Sequence, residues 1–143
     1  MSSTHTPITF KGRNLGVAVL VAAQLLIGVI HVVFGVWLLS APRIVPFLGA
    51  ASNPDIYSVY TVIFGLLTLI FAGGLWLEKR WSWVGTVAVA LFVITADTLT
   101  LLDLPSIPGI PKMAGFGEIT YSILILLYLS QTYIRAKYKI TKT

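Results

Sequence analysis

The sequence predicts an all-α integral membrane protein, a single bundle of four transmembrane helices joined by short loops. Three observations predict it. Of 143 residues, 57% are hydrophobic and only 10% are charged, whereas a soluble domain carries roughly 25% charged residues. Four apolar runs come close to the roughly 20 residues that a helix needs to cross a bilayer. Of the ten basic residues, eight lie on one side of those runs and two on the other. Helices are expected because a closed bundle satisfies every backbone group internally. Barrel strands would alternate in polarity, and a continuous run such as Val62–Ala72 does not.

The first span, about residues 15–40, contains no Lys, Arg, Asp or Glu. It is far longer than the roughly 7–15 apolar residues of a signal peptide, so it is expected to remain as a helix. Gln24, Gly28, His31 and Gly35 follow at spacings of 4, 3 and 4, which puts them on one stripe. Ser40-Ala41-Pro42, Pro46, Gly49 and Asn53-Pro54 punctuate the loop that follows. The second span, about 56–77, carries the stripe Thr61, Gly65, Thr68 and Ala72. Glu78-Lys79-Arg80-Trp81 then forms a very short hairpin. The third span, about 83–102, repeats the pattern with Thr86, Ala90, Val93, Asp97 and Thr100.

Pro105, Pro108, Gly109 and Pro111 break the chain in DLPSIPGIPK, a stretch apolar enough to fold onto the membrane surface or the bundle mouth. The fourth span, about 118–133, has the more aromatic stripe Glu118, Tyr121, Ile125, Tyr128 and Thr132. Residues 1–14 and 134–143 are left as polar tails of this single membrane domain. Each helix thus has one small or polar face. Gly28, Gly35, Gly65, Ala72 and Ala90 are the expected packing positions, because small residues let helix backbones approach.

Charge sets the expected orientation. Lys11, Arg13, Lys79, Arg80, Arg135, Lys137, Lys139 and Lys142 share one side, opposite Arg43 and Lys112. The positive-inside rule puts both termini and the hairpin in the cytoplasm, in a multi-pass cell-membrane protein. Arg135, Lys137 and Lys139 are expected to touch anionic lipid headgroups, not nucleic acid. Trp37, Trp76, Trp81 and Trp83 sit where interfacial anchors belong.

Asp97 is the sharpest functional clue. It lies inside the run VGTVAVALFVITADTLTLL, where a carboxylate is costly and marks a bundle interior or a polar pathway. At about 1.5 Å per residue, His31 falls roughly 4–5 Å and Asp97 roughly 6 Å outside the midpoints of their spans. The two are therefore expected to be level and to pair. Tyr60, Thr61, Thr100 and Tyr121 are expected to join them in an intramembrane polar cluster, with Glu118 and Asp103 near the outer rim.

Other chemistry is poorly supported. Without cysteine there is no disulfide, thiolate metal site or cysteine-linked haem. The other histidine, His5, lies in the polar N-terminal tail, so haem held by two histidines is not expected. His31, Asp97 and Glu118 lack the ligand spacing of a metal site. No Gly-x-Ser-x-Gly, P-loop or dinucleotide fingerprint occurs, so no enzyme is expected. No cofactor is expected, although Tyr57, Tyr60, Tyr121 and Tyr128 could line a pocket for bound lipid or quinone. In layout, length and a histidine in the first span the chain resembles the DoxX-like membrane proteins, a likeness that carries no residue roles across. The small multidrug exporters share four short helices, but their glutamate is in the first span, where this chain has none.

Three readings of function follow. The leading one is a small non-catalytic subunit packed within a larger membrane complex of respiratory or oxygenase type, whose partners are lipids and other membrane subunits. The alternative is a small proton- or cation-coupled transporter using Asp97 and His31. The third is a quinone- or lipid-binding membrane protein.

Overall fold

The computed structural model describes residues 9–10, 13–40 and 54–140. A minimal antiparallel hairpin, β1 (Thr9–Phe10) and β2 (Arg13–Asn14), leads into α1 (Leu15–Ser40). Then come α2 (Pro54–Trp76), α3 (Arg80–Leu101), α4 (Lys112–Leu129) and α5 (Thr132–Lys137). Among the described residues every element except that hairpin is helical, and α1 to α4 are each long and apolar enough to cross a membrane. His5, Lys11, Arg43 and Lys142, and the loop residues Pro46, Gly49 and Asn53, lie outside the described residues.

α1 is the helix expected from its apolar run. It opens on a cap, because the Asn14 Oδ1 accepts the Gly16 N–H at 2.9 Å. α2 and α3 begin two or three residues before the expected spans. Both end in turns whose second residue past the helix is left-handed, Glu78 (φ 56°) and Asp103 (φ 56°). The Lys79 N–H reaches the Gly74 carbonyl and the Leu104 N–H the Leu99 carbonyl, both at 2.9 Å, which closes each helix end. Glycine would be easier at either position, yet each carboxylate grips a lysine. Glu78 holds Lys137 at 3.1 Å, and Asp103 holds Lys112 at 2.6 Å.

α4 departs most from expectation. It starts at Lys112 instead of near Glu118, because Pro111 enters in the extended conformation that caps a helix and Asp103 fixes Lys112. Two glycines in its first turns hid it from a composition reading. It ends at Leu129 instead of near Tyr133. There the chain breaks at Gln131 (ψ 136°), so that α5 can fold back and bury Ile134 and Tyr138. The Tyr138 hydroxyl donates to the Leu75 carbonyl at 2.8 Å. The segment expected to be a free basic tail is therefore docked as far as Tyr138. Trp83, expected as an interfacial anchor, also donates its indole N–H to the Leu129 carbonyl at 3.2 Å and so ties α3 to the end of α4.

Small residues bring α1 and α2 into backbone contact. A Cβ on Gly65 would stand 2.8 Å from the Gly28 carbonyl oxygen, and one on Gly35 would stand 3.0 Å from that of Ser58. Glycine is required at this seam because backbone, unlike a side chain, cannot swing aside.

Two apolar clusters fill the bundle. One lies at the end shared by Asn14, the α2–α3 hairpin and α5, and joins Val17, Leu20, Leu75, Ala90, Leu129 and Tyr138. The other, at the far end, joins Leu38, Tyr57 and Ile110. Ile110 comes from the proline-rich loop, which therefore plugs the bundle mouth. His31, Asp97 and Glu118 lie between these two clusters along their helices.

Candidate functional site

The face of α4 decides the site. Because the helix starts at Lys112, Glu118 sits in its second turn, about 9 Å along the axis at 1.5 Å per residue. It is held inside the bundle, where it meets α1. The His31 Nε2 lies 3.5 Å from the Glu118 Oε1, with the two side chains 18% and 21% exposed. The distance is long for a hydrogen bond and short enough for an ion pair. The other ring nitrogen, Nδ1, stands 2.8 Å from the Ile27 carbonyl. A carbonyl oxygen only accepts, so Nδ1 carries a hydrogen. The carboxyl partner of His31 is thus Glu118, and the expected His31–Asp97 pair does not form. The error came from the start of α4: a rim position for Glu118 left Asp97 as the apparent partner.

Asp97 is 0% exposed, and among the described residues neither of its oxygens has a hydrogen-bond partner. It backs onto α4 at Gly115, where a Cβ would stand 3.4 Å from the Cβ of Asp97. Gly115 precedes Glu118 by three residues, so both carboxyl groups address the same stripe of α4. The first turn of α4 also brings the positive end of its dipole toward Asp97.

The remaining expected members divide. The Tyr60 and Tyr121 hydroxyls are buried without hydrogen-bond partners among the described residues. The Tyr60 ring stacks on Phe64 at 6.1 Å and faces Phe92 at 6.4 Å, while the His31 ring meets Phe64 edge-on at 4.8 Å. Thr61 is buried, but its hydroxyl donates within its own helix to the Tyr57 carbonyl at 2.7 Å. The Thr100 hydroxyl donates to the Ala96 carbonyl at 3.0 Å and meets Ser106 at 3.1 Å, so it secures the following loop. Of the expected packing positions, Gly28, Gly35, Gly65, Ala72 and Ala90 are all buried.

A cavity of about 130 Å³ opens beside the pair, lined by His31, Phe64, Glu118, Tyr121 and Ser122 among others. Phe64 and Gly115 were not anticipated. The signal for Gly115 is its i−3 spacing from Glu118, which becomes visible once the helix is known to begin at Lys112. The described residues hold no group of three or more His, Cys, Asp or Glu suited to a metal ion.

Of the basic residues expected at lipid headgroups, Lys137 is engaged by Glu78. Arg135 is half-buried with its Nε shielded and unpartnered, and Lys139 is exposed.

Chemically, the site combines two carboxyl groups, one imidazole and two free phenols in an apolar setting. Such a set can hold and release protons, or hold a cation against carboxylate. The chain matches no protein-family model, no curated protein and no solved structure.

Proposed function

We propose that this chain is a multi-pass membrane protein whose working part is a proton-exchanging site formed by Asp97, Glu118 and His31, as in a small proton- or cation-coupled carrier. The observation that carries the reading is Asp97, wholly buried with neither oxygen partnered among the described residues. A purely structural carboxylate would be expected to have hydrogen-bond donors, since leaving a buried polar group unsatisfied costs about 1–3 kcal/mol. An ionisable group kept at such a cost inside a membrane helix points to protons or ions.

The test is infrared difference spectroscopy on protein reconstituted in lipid, with Asp97→Asn and Glu118→Gln used to assign the bands. The expected result is a protonated-carboxyl band from Asp97 that responds to bulk pH and to transfer into heavy water. A site silent to both changes would remove the proposal.

The proposed orientation, with both termini and the Lys79–Arg80 hairpin in the cytoplasm, rests on the eight-to-two split of basic residues. Single cysteines at Ser3, Ser52 and Thr141 test it with an impermeant thiol reagent in intact cells. Labelling is expected at position 52 alone; labelling at 3 or 141 reverses the orientation.

A second reading, a non-catalytic subunit of a larger membrane complex, is favoured by one different observation. No span has more than 39% of its apolar window covered by the rest of the bundle. A groove of about 400 Å³ between α1 and α2, lined by Ala18, Val21, Ala22, Leu25, Gly73 and Trp76, adds to that open surface. Lipid or a partner helix would cover these faces, with Arg135 and Lys139 near anionic headgroups. Copurification at fixed stoichiometry in mild detergent is the outcome this reading expects; a stable lone monomer that still exchanges protons excludes it. A quinone is disfavoured at the polar site, because about 130 Å³ falls below the roughly 300–1,000 Å³ of most ligand pockets.

A further inference from the structure

We infer that the cavity beside His31 and Glu118 takes a small organic ammonium ion, and that one proton leaves the site for each ion bound. This rests on the proton-exchanging site proposed above and names what the proton is exchanged for.

Donor and acceptor counting supplies the first half. The His31 Nδ1 hydrogen is committed to the Ile27 carbonyl at 2.8 Å. The Nε2 faces the Glu118 Oε1 at 3.5 Å. Without a proton between them, an imidazole lone pair would face an anionic oxygen in an apolar setting, which is repulsive on both counts. The pair therefore holds one proton, as imidazolium with carboxylate or as imidazole with carboxylic acid, and is neutral in either form. A monovalent cation entering beside Glu118 restores neutrality only if that proton departs to water. The balance is then cation in, proton out, with no bond made or broken apart from the N–H or O–H that releases the proton.

The walls supply the second half. A divalent metal ion would want several ionised or imidazole ligands, and the described residues hold no suitable group of three or more His, Cys, Asp or Glu. The polar lining of the cavity is one carboxyl group, the His31 imidazole and the Tyr121 and Ser122 side chains, and the apolar lining includes Phe64, Ile27 and Val93. Behind Phe64 stands Tyr60, stacked at 6.1 Å. Aromatic faces attract ammonium ions within about 6 Å, more strongly where water is excluded. A water molecule in the liquid occupies about 30 Å³. The cavity of about 130 Å³ thus suits a ligand of roughly four or five non-hydrogen atoms. The Tyr121 side chain lines this space, and its buried hydroxyl has no hydrogen-bond partner among the described residues.

Because a proton competes with the cation, affinity should rise with pH, by at most about tenfold per unit for a one-for-one exchange. The groups facing the exchange are His31 on α1, Tyr57 and Tyr60 on α2, Asp97 on α3, and Glu118 and Tyr121 on α4.

Tetramethylammonium titrated into the full chain in detergent, by calorimetry in two buffers of different ionisation enthalpy, tests the inference. Saturable binding with about one proton released per ion is expected, at least tenfold weakened in Glu118→Gln. Phe64→Leu removes the aromatic wall and leaves every charge; it should weaken binding severalfold and keep the proton count. If Glu118→Gln does not fold, the Phe64→Leu result and the proton count in the native chain still decide. Absent binding, binding without proton release, an unaltered Phe64→Leu, or sodium ions alone giving the same heat and release would each overturn it. A carboxyl band that exchanges in the infrared while tetramethylammonium fails to bind sinks this inference alone; a silent band sinks the underlying site as well.

Discussion

Substituting leucine for Gly65 is expected to part α1 from α2 and abolish the folded bundle. The added side chain would point at the Gly28 carbonyl oxygen and the Val32 backbone nitrogen, each 2.8 Å from where its Cβ must sit. Overpacking a core usually costs about 1–3 kcal/mol because neighbouring side chains yield. Here the obstacle is the backbone of a helix, so a loss of about 3 kcal/mol or more is expected. Gly73→Leu is the control. A Cβ there meets nothing within 4 Å, and this variant should unfold like the native chain. Thermal unfolding in detergent, followed by circular dichroism, measures both. Equal behaviour of the two variants would show that the α1–α2 seam does not hold the bundle together.

Asp97→Val is expected to act in the opposite direction, raising stability while abolishing the proposed proton exchange. None of the described residues donates to the Asp97 oxygens, so its removal breaks no hydrogen bond among them and relieves an unsatisfied buried group. A gain of about 1–3 kcal/mol follows from that relief alone. Asp97→Asn keeps the shape and the unsatisfied polarity, and should leave stability near the native value while also losing exchange. Gains in stability at the expense of activity are the mark of a residue retained for function. A destabilised Asp97→Val, by the same unfolding assay, would instead show that the carboxyl group has a structural partner.

How much of this could be read from the chain depends on which residues carry the signal. The stripe Gln24–Gly28–Gly35 on α1 was legible because small and polar residues recur at helical spacing in an otherwise uniform apolar run, and it is the stripe that packs. Asp97 was legible as buried for the same reason. Its partner was not. Pairing across helices depends on relative height, and height depends on where each helix begins. The start of α4 is set by Pro111 and by the Asp103–Lys112 ion pair, a contact between residues on either side of a proline-rich loop. Nothing local to Glu118 announces it. The docking of α5 was illegible for a related reason. Ile134 and Tyr138 in a basic segment look like a solvated tail until a cavity edge at Leu75 exists to receive them.

That docking has a mechanical consequence. Tyr128–Asn14, Lys137–Glu78 and Tyr138–Leu75 rivet the helices to one another by polar contacts at one end, whereas the far end is closed by the apolar contacts of Leu38, Tyr57 and Ile110. The helices are thus like the arms of tongs, riveted at one end and pressed together at the other. Over the roughly 24 Å of α1 from Leu15 to His31, a tilt of about 5° would displace His31 by roughly 2 Å. His31 and Glu118 lie between rivet and tips, on different arms. Opening the arms by that amount would part a 3.5 Å contact altogether, whereas the apolar grip near the rivet would scarcely change.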